Sequence, residues 1–271
     1  MRGLAAIASA ALATVAAGAE TADPQVDSAL AALATELDPR AASALASIDG
    51  RGQRLLAARA YLRASSQLDG RWSWSAVEAA AFAGSPEKRA LDAAIARVRC
   101  QFETDNPGHT LWVNPEFRSL DVQLERWNGN ETVALAGAQL LAAVRRALAG
   151  SGPDPAGFAG GVSTLRRLLL EHQPIPVPTL AAPGLSPHGR LRAIDFQVES
   201  SGGIVAGTDS ASIAAEWIAA GWKARLQAAI TAADAGFHGP LAAPDEPWHY
   251  EFRPKAGQGD TGHAAGCARA T

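Results

Sequence analysis

The stretch SPHGRLRAIDFQV, Ser186 to Val198, follows a run of prolines in an alanine-rich chain and decides how the rest is read. Its second half alternates. Ala193, Asp195 and Gln197 fall on one face of an extended segment, and Ile194, Phe196 and Val198 fall on the other, the two-residue period of a strand with one face in a core. GGIVAG, residues 202–207, reads as its hairpin partner, and PWHYEF, residues 247–252, reads as a last strand. A strand that only filled a core has no use for an aspartate on its other face or for His188 just ahead of it.

On the N-terminal side of this strand, residues 173–187 carry five prolines and are expected to be extended rather than helical. Earlier still, apolar residues recur at three- and four-residue steps in residues 28–48, 89–102, 119–127, 131–148 and 162–172. Helix-start signals stand at Ser75, with Glu78 three residues later, and at Ser85 before Pro86. Asn106-Pro107-Gly108 is a turn, and Thr110 to Val113 reads as a short strand. The glycine-rich stretch 150–161 is a joint, and Asn128 to Asn130 is a turn. After the strand, residues 211–233 read as one amphipathic helix. Helices and short antiparallel strands segregated in this way indicate an α+β fold, a small antiparallel sheet with flanking helices, preceded by a helical N-terminal region.

The first nineteen residues have the plan of a signal peptide: Arg2, an apolar run from Leu4 to Ala17, then Ala17-Gly18-Ala19 for cleavage. No later stretch reads as the roughly twenty apolar residues of a membrane span. The expected organisation is a signal peptide (1–19), a helical region (20–105), a domain that holds the strands (106–254) and a flexible Gly/Ala-rich tail (255–271), in an exported protein, periplasmic or secreted. Hydrophobic residues at 48% and charged residues at 19% suit a globular chain, and a net charge of −3 disfavours nucleic acid or anionic lipid as the main partner. Cys100 and Cys267 are the two cysteines; an oxidising compartment permits a disulfide between them, and two free thiols are equally compatible with the sequence.

His188, Asp195, Glu246 and His249 form the candidate site. A catalytic zinc takes three nitrogen or oxygen ligands and keeps one open position. His188 enters the strand, Asp195 lies on it and His249 lies on a strand able to pair nearby, so the three can converge. Glu246, three residues ahead of His249, is placed to take a proton without ligating the metal. His109, His172, His238 and His263 have no such partner spacing, and Trp248 and Tyr250, flanking His249, are expected to face the core.

Ser-x-His-x6-Asp followed by Glu-x-x-His resembles the LAS zinc metallopeptidases, in particular D-alanyl-D-alanine carboxypeptidases of the VanY type. FRSLDVQ, residues 117–123, is similar to the family's arginine motif, with Arg118, Ser119 and Gln123 at the same spacing. The resemblance spans residues 106–254. It implies a LAS-type peptidase fold, one zinc ion on His188, Asp195 and His249, and a general base at Glu246. It also implies Arg118 on the substrate carboxylate or the developing oxyanion, and Gln123 and Ser186 near the substrate. Ser186 is expected to fix loop geometry, and Arg190 and Arg192 to face solvent or substrate. The implied substrates are peptidoglycan stem peptides, cut as a D,D-carboxypeptidase or, with the same zinc site, as a crosslink endopeptidase. A cell-wall-binding protein on a retired peptidase fold is the non-enzymatic alternative. The chain departs from the pattern at Leu191, where the family usually has glycine, which puts loop shape and substrate preference in question.

Overall fold

Aspartate or serine followed by proline opens several helices in this chain, because the side chain accepts from a free backbone N–H and proline supplies a helical φ. Asp23 starts α1 (Pro24–Ala34), and Asp38 starts α2 (Pro39–Ala46). After α3 (Arg51–Ala64) and the single turn α4 (Leu68–Arg71), Ser75 and Glu78 form a reciprocal capping box on α5 (Ala76–Ala83). Ser85 caps α6 (Pro86–Asp105), which leads through the turn to β1 (His109–Asn114). Ser119 caps α7 (Leu120–Gly129); then Asn130 Oδ1 accepts from Val133 N at 3.0 Å at the head of α8 (Glu131–Ala149). The Asn128–Asn130 turn is therefore shorter than expected, since α7 runs through Gly129.

Helix α9 (Ala159–Glu171) ends at the proline-rich segment, which is neither helix nor strand. There follow β2 (Ala193–Ser200), β3 (Gly203–Ala206), a π-helical turn (Ile213–Ala219), α10 (Trp222–Ala233), β4 (Phe237–His238), β5 (Leu241–Ala242), β6 (Asp245–Glu246) and β7 (His249–Phe252). The computed structural model describes residues 22–114, 117–149, 159–242 and 245–253. The expected signal peptide, the expected tail, His263 and Cys267 lie outside the described residues; Cys100 is disulfide-bonded.

The fold is α+β. Its main sheet is antiparallel in the order β1-β2-β7-β4, with β3 also on β2, and β5 pairs with β6 in a separate ribbon. The expected strands and the β2–β3 hairpin are present. The single helix expected over residues 211–233 is not. Gly221 takes φ +77°, a left-handed conformation that a helix interior does not accommodate, and divides a π-helical turn from α10.

Two hydrophobic cores result, and they do not follow chain order. The first joins α1, α2 and α3 to α8 and α9. Backbones of α3 and α8 touch there, since a Cβ at Gly137 would come 2.7 Å from the Gly52 carbonyl carbon. The second packs α5, α6 and α10 against Ile194, Phe196 and Val198 of β2 and Trp248, Tyr250 and Phe252 at β7. By length and composition α8 would suffice to cross a membrane; here Val133, Leu140 and Val144 are buried in the first core.

Ser73 is buried at the seam, flanked by Trp72 in the first core and Trp74 against the second. Ser73 N donates to Gly184 O and Trp74 N to Gly189 O, both at 2.7 Å. This strap crosses the chain where it turns into β2, and the polar face of β2 opens beside it.

Candidate metal centre

β2 turns Ile194 and Phe196 into the second core, so the strand period leaves Asp195 on the opposite face. β7 runs antiparallel with Asp195 directly opposite His249, while Asn114 of β1 is the partner on the other side. His188 arrives from a 3-10 turn, Pro187–Arg190, that precedes β2. The three side chains are buried at 6% for His188 and Asp195 and 7% for His249. One possible ligand atom from each lies within 4.8 Å of the others, and this buried group can hold a metal ion.

Asp195 is the hub. Its Oδ1 lies 3.0 Å from His249 Nδ1, and its Oδ2 lies 3.1 Å from Arg118 Nη2 and 3.4 Å from His188 Nε2. The imidazole rings meet edge to face at 5.0 Å. Burial alone would raise the Asp195 pKa, but hydrogen bonds from His188 and His249 outweigh it and hold the carboxyl well below the usual carboxylate range. Burial pushes His188 down, with the Asp195 charge opposing and Arg118 and His249 adding to the fall. An ionised carboxylate beside a neutral imidazole is the form in which both donate lone pairs to a cation, so the donor set of two nitrogens and one oxygen fits a metal such as zinc.

Glu246 stands at the edge of this group. It lies on β6, opposite Leu241 of β5, and its Oε2 is 3.7 Å from His249 Nδ1. Burial raises its pKa; the Asp195 charge adds to the rise while His249 and Arg118 oppose it. The Asp245 neighbour is tied to Lys223 of α10 at 2.9 Å, and Phe196 N donates to Trp248 O at 3.0 Å, so both ends of the Glu246–His249 turn are anchored. Trp248 and Tyr250 face the core as expected.

Arg118 precedes the Ser119 cap of α7 and reaches the same carboxylate, its side chain 21% exposed. Its Nε is buried and lacks a hydrogen-bond partner among the described residues. Gln123 lies one turn into α7. Its Nε2 donates to Ser73 Oγ at 2.9 Å and to Arg118 O at 2.7 Å, while its Oε1 accepts from Gly184 N at 3.0 Å. With both amide hydrogens engaged by protein, Gln123 braces the Arg118 segment against the His188 approach. The Ser186 carbonyl accepts from Gly189 N at 2.9 Å, closing the turn that carries His188.

Leu191 ends that turn at φ +53° and ψ +26°. This is the left-handed region, which costs a non-glycine residue about 1–2 kcal/mol. The chain therefore keeps the backbone conformation that glycine would favour, with leucine in it. Arg190 and Arg192, expected to face solvent or substrate, are half-buried against protein groups: Arg190 lies 5.6 Å over the Trp74 ring and Arg192 pairs with Glu87 at 2.7 Å. His109 lies tilted against the Trp222 ring, centroids 4.6 Å apart, and His238 pairs with Glu251 across β4 and β7, both apart from the metal-binding group.

Ser73 and Gly189 were not singled out by sequence reasoning. A Cβ on Gly189 would come 2.0 Å from Ser73 Oγ and 2.7 Å from Gln123 Nε2, so only glycine lets the turn lie on its brace. The available signal was Trp-Ser-Trp itself, an alternation of large and small side chains between two helices. Comparison with protein-family models, with curated proteins and with solved structures finds no match for this chain.

Proposed function

We propose that the protein is an exported zinc metallopeptidase, a D,D-carboxypeptidase that removes the terminal D-alanine from peptidoglycan stem peptides. The observation that carries this reading is the buried His188–Asp195–His249 group with Glu246 at its edge and Arg118 beside it. The resemblance to LAS peptidases supplies the substrate class, and the burial and charge state of the group support a metal-dependent hydrolase over a surface carboxylate cluster.

His188, Asp195 and His249 would hold the zinc ion, which would supply a Lewis acid for the scissile carbonyl and for a water. Glu246 takes the proton of the attacking water at its carboxylate and passes it to the departing amine. Burial raises its pKa, the direction that helps a carboxylate hold a proton between the two transfers. Arg118 offers its partly exposed guanidinium to the substrate's terminal carboxylate, a charge-assisted contact in a partly desolvated setting. Gln123 and Ser73 keep that arginine in place.

The decisive test is zinc analysis of the purified protein together with mass spectrometry of muropeptides after incubation. About one zinc per chain and loss of one alanine from pentapeptide stems are expected. Metal-free protein that leaves pentapeptides intact after zinc addition would remove the reading. Arg118→Lys then separates exo- from endo-cleavage. If Arg118 binds a free carboxylate, the substitution lowers kcat/KM roughly ten- to a hundred-fold on a free terminus and has little effect on an amidated one. Equal losses on both substrates move the assignment to crosslink endopeptidase.

A further inference from the structure

The helical half carries a cavity that the peptidase reading does not use. It has a volume of about 520 Å³, within the range of small-molecule sites, and lies between α3 and the proline-rich segment. Its floor is apolar, with Leu56, Trp127 and Leu180, and its polar wall is three arginines, Arg59, Arg63 and Arg71. No carboxylate lines it among the described residues.

The arginines are held without counter-charges. Arg59 Nε donates to His172 O at 2.9 Å, and Arg63 Nη1 reaches Leu170 O at 3.4 Å. Both contacts are to neutral carbonyls, and none of the three guanidiniums has an ion-pair partner among the described residues. Elsewhere on the same half, arginines find acids: Arg40 pairs with Asp38 and Asp69, and Arg51 with Asp27. Burial and the charge of Arg63 both push Arg59 downward, the direction expected of cations gathered with no anion among them.

The opposite wall is preformed. Pro174 and Pro178 restrict the backbone of the segment, and Val177, 57% exposed, stands at the cavity with no apolar cover. A hydrophobic floor under a cluster of fork-shaped cations suits a ligand with acidic oxygens at one end and an apolar body at the other.

We propose that this cavity is a binding site for a small organic dianion, a phosphate monoester or a paired dicarboxylate, carried on an apolar group. The site is separate from the metal centre and stands or falls independently of the peptidase reading.

Titration calorimetry at low ionic strength tests it with three probes: phenyl phosphate, phthalate and inorganic phosphate. At least one of the first two is expected to bind saturably, and more tightly than inorganic phosphate, which lacks the apolar body. The double variant Arg63→Gln/Arg71→Gln replaces two exposed side chains and should weaken that binding by about ten-fold or more, because two charge-assisted contacts are lost. Zinc content should be unchanged in the variant, and circular dichroism should show the same helix content. Phenyl phosphate alone binding would define the head as phosphate, and phthalate alone as dicarboxylate. The proposal is overturned if neither organic dianion binds the wild type, if inorganic phosphate binds as tightly as both, or if the folded double variant binds as the wild type does.

Discussion

Asp195 gathers two imidazoles and a guanidinium around one buried carboxylate, and this determines how single substitutions should behave. Removing either histidine leaves two ligands and a carboxylate with less compensation. His188→Ala and His249→Ala are each expected to drop from about one zinc per chain to near none, as read by atomic absorption after dialysis. Glu246→Gln should keep the metal and the fold, since the amide nearly matches the carboxylate in size, yet lose roughly 10²–10⁴-fold in turnover. A Glu246→Gln protein that turns over normally would remove the residue from proton transfer, and one that loses zinc would make it a ligand. That Asp195 and His249 meet was readable from their spacing, because β2 and β7 have the two-residue period that brings the two to one face. Gln123 and Ser73 were not readable in the roles they hold. Their partners are each other and backbone groups of Arg118 and Gly184, which no motif announces.

At the scale of elements, the 3-10 turn at Pro187–Arg190 is held by contact rather than by hydrophobic burial. Gly189→Ala pushes a methyl into Ser73 Oγ, so the strap or the turn must move. Overpacking of this kind costs about 1–3 kcal/mol. The expected result is a lower midpoint in urea together with weaker zinc retention, since His188 sits next door. Loss of stability with zinc affinity intact would show that the turn can shift without moving the ligand. Leu191→Gly should do the reverse of most leucine truncations. It gives up some packing against the second core but relieves a left-handed residue, so stability should change by less than about 1 kcal/mol. The π-helical turn and its break at Gly221 were hidden from the sequence because alanine sustains a helical pattern across the glycine, and an isolated glycine is tolerated in such patterns. Strands were easier to read, as few other arrangements place Ile194, Phe196 and Val198 together.

At the scale of the molecule, the two cores interlock along the chain. A cut at residue 105 separates α6 from the sheet it covers. Leu91, Val98 and Phe102 are at most 3% exposed in the second core, and burying three such side chains contributes about 5–9 kcal/mol, as much as many domains have in total. A fragment of residues 106–254 is therefore expected to lack cooperative unfolding and dispersed amide signals, and so is a fragment of residues 20–105. Adding the two together should restore some structure. A fragment 106–254 that folds alone would place the sheet core within itself. The expectation of a helical first half was correct as to helices. Which helices cover which core depends on tertiary packing, and periodicity along one segment carries no information about its partner.

The same interlocking fixes an order of events during synthesis. Helices α1 to α3 are complete by Ala64, but α8 and α9, the long helices that complete their core, begin only at Glu131. Until α8 and α9 have emerged from the ribosome, the leading segment can cover its leucines only in part, with its own helices and with Leu68 and Trp72. The nascent chain carries that part of its apolar surface uncovered in the meantime, as a target for chaperones.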